Sequence, residues 1–194
     1  LALGCIRPNT DLLLRGVGLN PTRAAIIQVL KQMGASIEIE NPHYSHFEPY
    51  GDIRVRSSVL RNVDIQPKDI PFLIDEIPIL AVVSLFAEGT LRIRGAKELR
   101  SKESDRISTV RKVVEAMGGG FREYDDGFDS WSLGPIQPFH VDSHGDHRIA
   151  MSAIIGALAS NQSAEVTQCD CIQTSFPDFF SLITKLGLQF RLVE

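Results

Sequence analysis

Apolar side chains recur along this chain at two spacings, an every-other-residue alternation and a helical i, i+3, i+4 stripe, and the two take turns. Thr10–Arg15 reads as a strand closed by Gly16 and Gly18. Asn20-Pro21 opens a helix, with Asn as cap and Pro at the first helical position. Its stripe of Ala24, Ile26, Ile27, Leu30 and Met33 ends at Gly34. Ser36–Glu40 and Asp52–Ser57 alternate apolar and polar residues as strands do. The polar Pro42–Asp52 between them reads as a loop, with His43 and His46 as surface residues rather than ligands. A turn at Pro67–Pro71 precedes a helix expected over Asp75–Ala87 and stopped by Gly89, and Thr90–Arg94 is again a strand. Ile107, Val110, Val113, Val114 and Met117 then mark one helical face that ends at Gly118, with Ser104 or Ser101 placed to cap it. Asp146–Ser160 is apolar nearly all round, as a buried helix is, and Ala164–Gln168 follows as a strand.

The same unit is written three times. A strand, a loop, a helix, a glycine and a new strand occur around Gly34, Gly118 and Gly187. Gly16 to Gly34 and Cys169 to Gly187 are equally spaced; Gly95 to Gly118 is longer, and its extra residues coincide with the charged Lys97–Glu103. Alternating helices and strands in a threefold repeat predict an α/β fold. Because the helices between the copies are the more apolar elements, the sheets are expected outside them.

Composition narrows the function classes. With 194 residues, 43% hydrophobic and 23% charged, the chain can fold as a globular body. A net charge of −4 argues against a general nucleic-acid or membrane-surface binder, and no apolar run is long enough to span a bilayer. Cys5, Cys169 and Cys171 are an odd number in a chain that needs no staples, so free thiols in a reducing cytoplasm are expected. Cys169-Asp170-Cys171 lacks the second ligand pair of a zinc site. Leu1 opens the chain without Met, as in a piece of something longer.

The chemistry concentrates at three expected helix starts: Asp75-Glu76, Lys102-Glu103-Ser104-Asp105-Arg106 and Asp146-His147-Arg148. Helix N-termini favour anions, and arginines bind carboxylate or phosphate through two parallel bonds. If the repeats bring these starts together, Arg106 and Arg148 would line an anion-attracting bowl, with Asp75 and Glu103 as acid/base groups. Each has a plainer reading. The charged run can be a solvated helix start, Asp75 and Asp146 can be caps, and His147 can be a packing residue.

With these residues together, the chain resembles the C-terminal half of the 5-enolpyruvylshikimate-3-phosphate synthase family. The matching stretches are Leu73–Pro78, Phe86–Thr90, Glu98–Arg106, Asp146–Met151 and Thr174–Pro177, in the family's order and spacing. The resemblance implies βαβαββ units in pseudo-threefold array, an inside-out α/β barrel with buried helices and solvent-facing sheets. It implies residues 1–9 as the remnant of a crossover between domains and residues 10–194 as the C-terminal enolpyruvyl transferase domain. It also implies a reaction in the shikimate route to aromatic amino acids. The carboxyvinyl group of phosphoenolpyruvate passes to the 5-hydroxyl of shikimate 3-phosphate, and phosphate leaves, without metal or other cofactor. Carried over by position, Asp75 matches the proton acceptor that also contacts shikimate 3-phosphate, Lys102 a group touching both substrates, and Glu103 the proton donor. Arg106 and Arg148 match arginines that bind phosphoenolpyruvate, with His147 and Asp146 as further candidates. Thr174 stands where many members carry a phosphoenolpyruvate-binding Lys. The N-terminal half, the implied partner with the Lys, Ser and Arg residues for the phosphate of phosphoshikimate, lies outside this sequence, so the chain alone is expected to be inactive. A non-catalytic anion-binding or assembly module on the same repeat fold is the alternative, since fold does not dictate chemistry.

Overall fold

The computed structural model describes residues 1–191. The first third contains α1 (Ala2–Ile6), β1 (Asp11–Gly18), α2 (Ala25–Gln32), β2 (Ser36–Ser45) and β3 (Glu48–Arg56). Two short strands follow, β4 (Leu60–Arg61) and β5 (Asp64–Ile65), then α3 (Ile77–Val83), β6 (Ala87–Glu88) and β7 (Thr90–Ile93). The middle holds α4 (Arg106–Ala116), β8 (Gly120–Tyr124), β9 (Gly127–Trp131) and β10 (Phe139–Asp142). The last elements are α5 (His147–Ser160), β11 (Ala164–Thr167), α6 (Cys171–Ser175) and α7 (Phe179–Lys185).

Helices α1, α3, α4 and α5 lie inside and the sheets outside, as the apolar patterning predicts, while α6 and α7 keep most of their residues exposed. Every residue of α3 from Ile77 to Val83 except Ile79 is buried, and α3, α4 and α5 pack on one another. Around them stand an antiparallel β1-β3-β2 sheet, a mixed β5-β7-β9-β8 sheet and a parallel β10-β11 pair, with a short β4-β6 ladder. The first sheet shows why. Ile53 and Val55 of β3 face the core, while the intervening Arg54 and Arg56 pair outward with Asp11 and Glu38, at 2.8 and 2.9 Å. A strand with one apolar and one ionic face settles only at a surface. The repeat is real in three dimensions: α2, α4 and α7 are each followed closely by a glycine in the left-handed region, Gly34 at φ +97°, Gly118 at +82° and Gly187 at +71°. Such a residue ends a helix because only glycine adopts that backbone without steric cost.

Several local expectations are corrected. Pro42–Asp52 is not a loop. β2 and β3 continue through it as a hairpin, pairing His43 with Tyr50 and Ser45 with Glu48 around His46 and Phe47, both at positive φ. The extension stands clear of the core, so neither strand carries the apolar alternation that marks a half-buried strand. α2 begins at Ala25 rather than at Asn20; the Asn20 side chain instead caps a turn, accepting from the Thr22 amide at 3.0 Å. The helix expected over Asp75–Ala87 is α3 plus a single tighter turn, Ser84–Phe86. Residues 2–6, within the stretch expected to cross between domains, form α1, and all five are buried in the same core. No helix among the described residues is long and apolar enough to cross a membrane.

Gly156 of α5 lies tight against α3 and the end of α4. A Cβ there would lie 2.4 Å from the Met117 terminal methyl and 3.0 Å from Cγ1 of Val82. Gly156→Val is therefore expected to cost about 1–3 kcal/mol through overpacking, read as a lowered midpoint of urea unfolding; an unchanged midpoint would contradict so close a contact.

Candidate active site

The three charged helix starts do meet. α3, α4 and α5 begin side by side, and Arg106, the first residue of α4, lies at the junction with only 1% of its side chain exposed. Nε of Arg106 donates to Oδ2 of Asp146 at 2.8 Å, Nη1 to Oδ1 of Asp75 at 3.1 Å and Nη2 to Oε2 of Glu103 at 2.5 Å. One guanidinium thus holds three carboxylates from three elements. Asp146 is fully buried. It also caps α5 by accepting from the Arg148 amide at 2.9 Å, and it accepts from the Ser104 hydroxyl at 3.1 Å. Burial alone would raise the Asp146 carboxyl, but Arg106, the Arg148 amide and Ser104 hold it below the ordinary carboxylate range. Burial likewise opposes the charge on Arg106, and its carboxylate partners more than restore it.

Arg148 sits on the other side of Asp75. Its Nη1 donates to the Asp75 carbonyl at 2.9 Å and its Nη2 lies 3.2 Å from Oδ2 of the same residue. Glu76 flanks it, with Oε1 3.9 Å from Nη1. Burial pushes the Glu76 carboxyl up, opposed by Arg148 and reinforced by Asp75. Arg23, exposed on the turn before α2, reaches to 4.0 Å from Oδ2 of Asp75. Asp75, Arg148 and especially Glu103, half exposed at 50%, remain open to solvent above the sealed Arg106.

The comparisons with known proteins agree on one family. The sequence model of EPSP synthase (3-phosphoshikimate 1-carboxyvinyltransferase) matches residues 1–183. The chain belongs to the EPSP synthase family. Among its curated relatives are the 3-phosphoshikimate 1-carboxyvinyltransferase of Synechococcus sp. (strain JA-3-3Ab), 48% identical over 96% of this chain, and that of Carboxydothermus hydrogenoformans, 44% identical over 93%. This chain spans 42% of the length of each. The EPSP synthase structure from Acinetobacter baumannii superposes over all of this chain and 45% of its own, with a TM-score of 0.92 at 33% identity. The enolpyruvyl transferase NikO from Streptomyces tendae shares the fold, with a TM-score of 0.76 at 19% identity.

Against this family's motifs, the structure brings together Asp75, Glu103, Arg106, Asp146 and Arg148, and leaves two expected residues aside. Lys102 is paired with Glu98 at 2.5 Å rather than with the cluster. His147 is partly buried and makes no side-chain hydrogen bond among the described residues. The helix cap is also corrected: Asp105, not Ser104 or Ser101, caps α4, accepting from the Ser108 amide at 3.2 Å. Ser104 is drawn instead to buried Asp146, whose second lone pair needs a donor. The bowl expected of the three helix starts is lined by acidic groups as well as by arginines. Asp75, Glu76, Glu103 and Asp146 stand against Arg106, Arg148 and the peripheral Arg23, because the stretches that deliver the arginines deliver acidic neighbours with them. Arg106 is a structural centre as well as a candidate ligand.

Two contributors went unread in the sequence, and a third, Glu76, was named only beside Asp75, with no role of its own. Arg23 is too far from the motifs, and too like an ordinary surface charge, to be singled out. Arg100 fastens the motif loop to the β8–β9 hairpin, donating to Asp105 at 2.9 Å, Glu123 at 3.0 Å and the carbonyls of Tyr124 and Asp125 at 2.8 and 2.9 Å. Its signal was its place inside the charged run, which spacing alone does not separate from Lys102 or Arg106. Among the described residues no group of His, Cys, Asp and Glu is arranged to hold a metal ion, and burial pushes the Cys5 and Cys169 thiols up to about 11.

Removing one partner of the buried pair leaves the other charge stranded, so Asp146→Ala is expected to destabilise the fold by about 3–5 kcal/mol. The Asp146 carboxyl is lowered on folding. Its contribution is therefore complete above the unfolded value of about 3.9 and disappears as pH falls through the lower folded value. Denaturant unfolding across an acid series should show the gap between wild type and variant closing in that window; a pH-independent gap would contradict the pairing.

Proposed function

We propose that this chain supplies one wall of an active site that transfers the carboxyvinyl group of phosphoenolpyruvate to the 5-hydroxyl of shikimate 3-phosphate, releasing phosphate. The observation that carries the reading is that Asp75 and Glu103 accept from the two terminal nitrogens of one guanidinium, Asp75 wedged between Arg106 and Arg148 and Glu103 half exposed to solvent. Two carboxylates in unlike surroundings suit a reaction that needs a proton delivered at one atom and removed at another. In this reading Glu103 protonates the methylene carbon of phosphoenolpyruvate while Asp75 takes the proton of the attacking hydroxyl. The resulting tetrahedral adduct carries carboxylate and phosphate. It then loses phosphate and a methyl proton to restore the vinyl group on the new oxygen.

Arg148 and Lys102 are assigned to the anionic substrates. Arg106 joins them once an incoming carboxylate displaces Glu103, the most exposed of its three partners, while Asp146 keeps the guanidinium aimed. With a carboxylate excess in this wall, the cations that hold two phosphorylated substrates must come in part from the preceding half of the enzyme, to which residues 1–9 would connect. Fixed charges on both sides of a closing cleft stabilise such an adduct better than mobile water does. The cytoplasm, where both substrates and free thiols belong, is the compartment assigned.

The test pairs this chain with the amino-terminal half of a close relative and measures phosphate release. Release is expected only when both halves and both substrates are present; release from the chain alone, or none from the assembled pair, would overturn the proposal. Within the active pair, Glu103→Gln should lower kcat by about 10²–10⁴-fold, the usual worth of a general acid, with little change in either KM. Arg148→Ala should raise the KM for phosphoenolpyruvate ~10–100-fold, as expected for the loss of a charged hydrogen bond, and that for shikimate 3-phosphate far less. Equal losses for both substrates would contradict the assignment.

A further inference from the structure

Glu76 is the N-cap residue of α3, yet its side chain makes no capping hydrogen bond. The carboxylate turns instead toward Arg148, with Oε1 3.9 Å from the Nη1 that donates to the Asp75 carbonyl. Arg148 is thus cornered by two consecutive acids. The Asp75 carboxylate holds Nη2 by direct contact and its carbonyl accepts from Nη1, which Glu76 flanks within ion-pair range but beyond hydrogen-bond distance. A negative charge so placed offsets part of the charge that Arg148 offers to any other anion.

We propose that Glu76 is a positioning residue that sets the anion affinity of Arg148, weakening its hold on the anionic substrate when ionised and releasing it when protonated. This rests on the reading that Arg148 binds phosphoenolpyruvate. The charged groups facing Glu76 are Arg148 from α5, Asp75 from its own turn and Arg23 from the turn before α2, while Arg106 of α4 holds Asp75 from the far side. Burial pushes the Glu76 carboxyl up, so it stays neutral to higher pH than an ordinary Glu. The wild type should therefore behave like a Glu76→Gln variant in acid and diverge from it as pH rises.

The experiment compares wild type, Glu76→Gln and Glu76→Asp in the paired enzyme, measuring KM for phosphoenolpyruvate from acid to neutral pH at saturating shikimate 3-phosphate. Comparing variants at each pH cancels the titration of the substrate itself. At neutral pH Glu76→Gln should bind phosphoenolpyruvate about threefold to fivefold more tightly, the size of a partly exposed charge pair. The two profiles should converge in acid, while Glu76→Asp keeps the wild-type slope. Parallel profiles, or weaker binding by Glu76→Gln, would overturn the proposal. A structural role would not produce a gap that depends on pH. The second measurement follows the Arg148 guanidinium nitrogen resonances of the chain alone against pH. A step above the ordinary carboxylate range should be present in wild type and lost in Glu76→Gln; a step that persists in the variant would overturn the assignment. If the wild-type pair releases no phosphate, the proposed function fails on its own, and the guanidinium titration still decides for or against Glu76.

Discussion

A guanidinium removed from water costs several kcal/mol unless charge and hydrogen bonds meet it there. Arg106 is met by Asp146, which is itself without solvent contact. That pair is the constraint on which the arrangement of the three inner helices depends. Arg106 begins α4, Asp146 caps α5, and Asp75, on the turn that leads into α3, accepts from Nη1. Because a guanidinium is planar and its donors point in set directions, the three helix starts can approach in few ways that satisfy it. Apolar packing among α3, α4 and α5 is tolerant of small rotations; the ion pair is not.

The same pair shapes the chemistry. Its buried end is saturated, so it cannot exchange partners without stranding a charge. Its outer end is held by Glu103, which keeps half of its surface in solvent. In the proposed reading, where the site admits an anion, this asymmetry is an advantage. The part that sets geometry is locked, and the part that must yield lies at the surface. Charge compensation within the cluster also keeps its converging arginines from repelling one another. Arg100 works at the other end of the motif, tying the Asp105 cap to the β8–β9 hairpin so that Lys102 and Glu103 hang from a fixed frame.

Much of the fold was legible in the residues. Glycines at Gly34, Gly118 and Gly187 announced three helix ends, the apolar run Ile149–Ala159 announced a buried helix, and alternation in Asp52–Arg56 announced a strand with one ionic face. The hairpin tip at His46-Phe47 was not legible, because strands that project into solvent have no apolar face and so no period to read. Helix starts were misplaced by a few residues for a related reason. Asn20, Ser104 and Asp75 all have cap chemistry, and which of several polar residues caps a helix depends on what else competes for its side chain.

The identities of the charged groups, their spacing and the resemblance they carry were properties of the chain alone, and those placed it in its family and named Asp75, Glu103, Arg106, Asp146 and Arg148. Partnership was not. Only the tertiary structure decided that Asp146 belongs to Arg106, that Lys102 turns to Glu98 and that Glu76 and Arg23 gather around Arg148 and Asp75. Periodicity records which way a side chain faces relative to its own element. Charge pairing across elements depends on distances between residues far apart in sequence, and a one-dimensional pattern does not contain them.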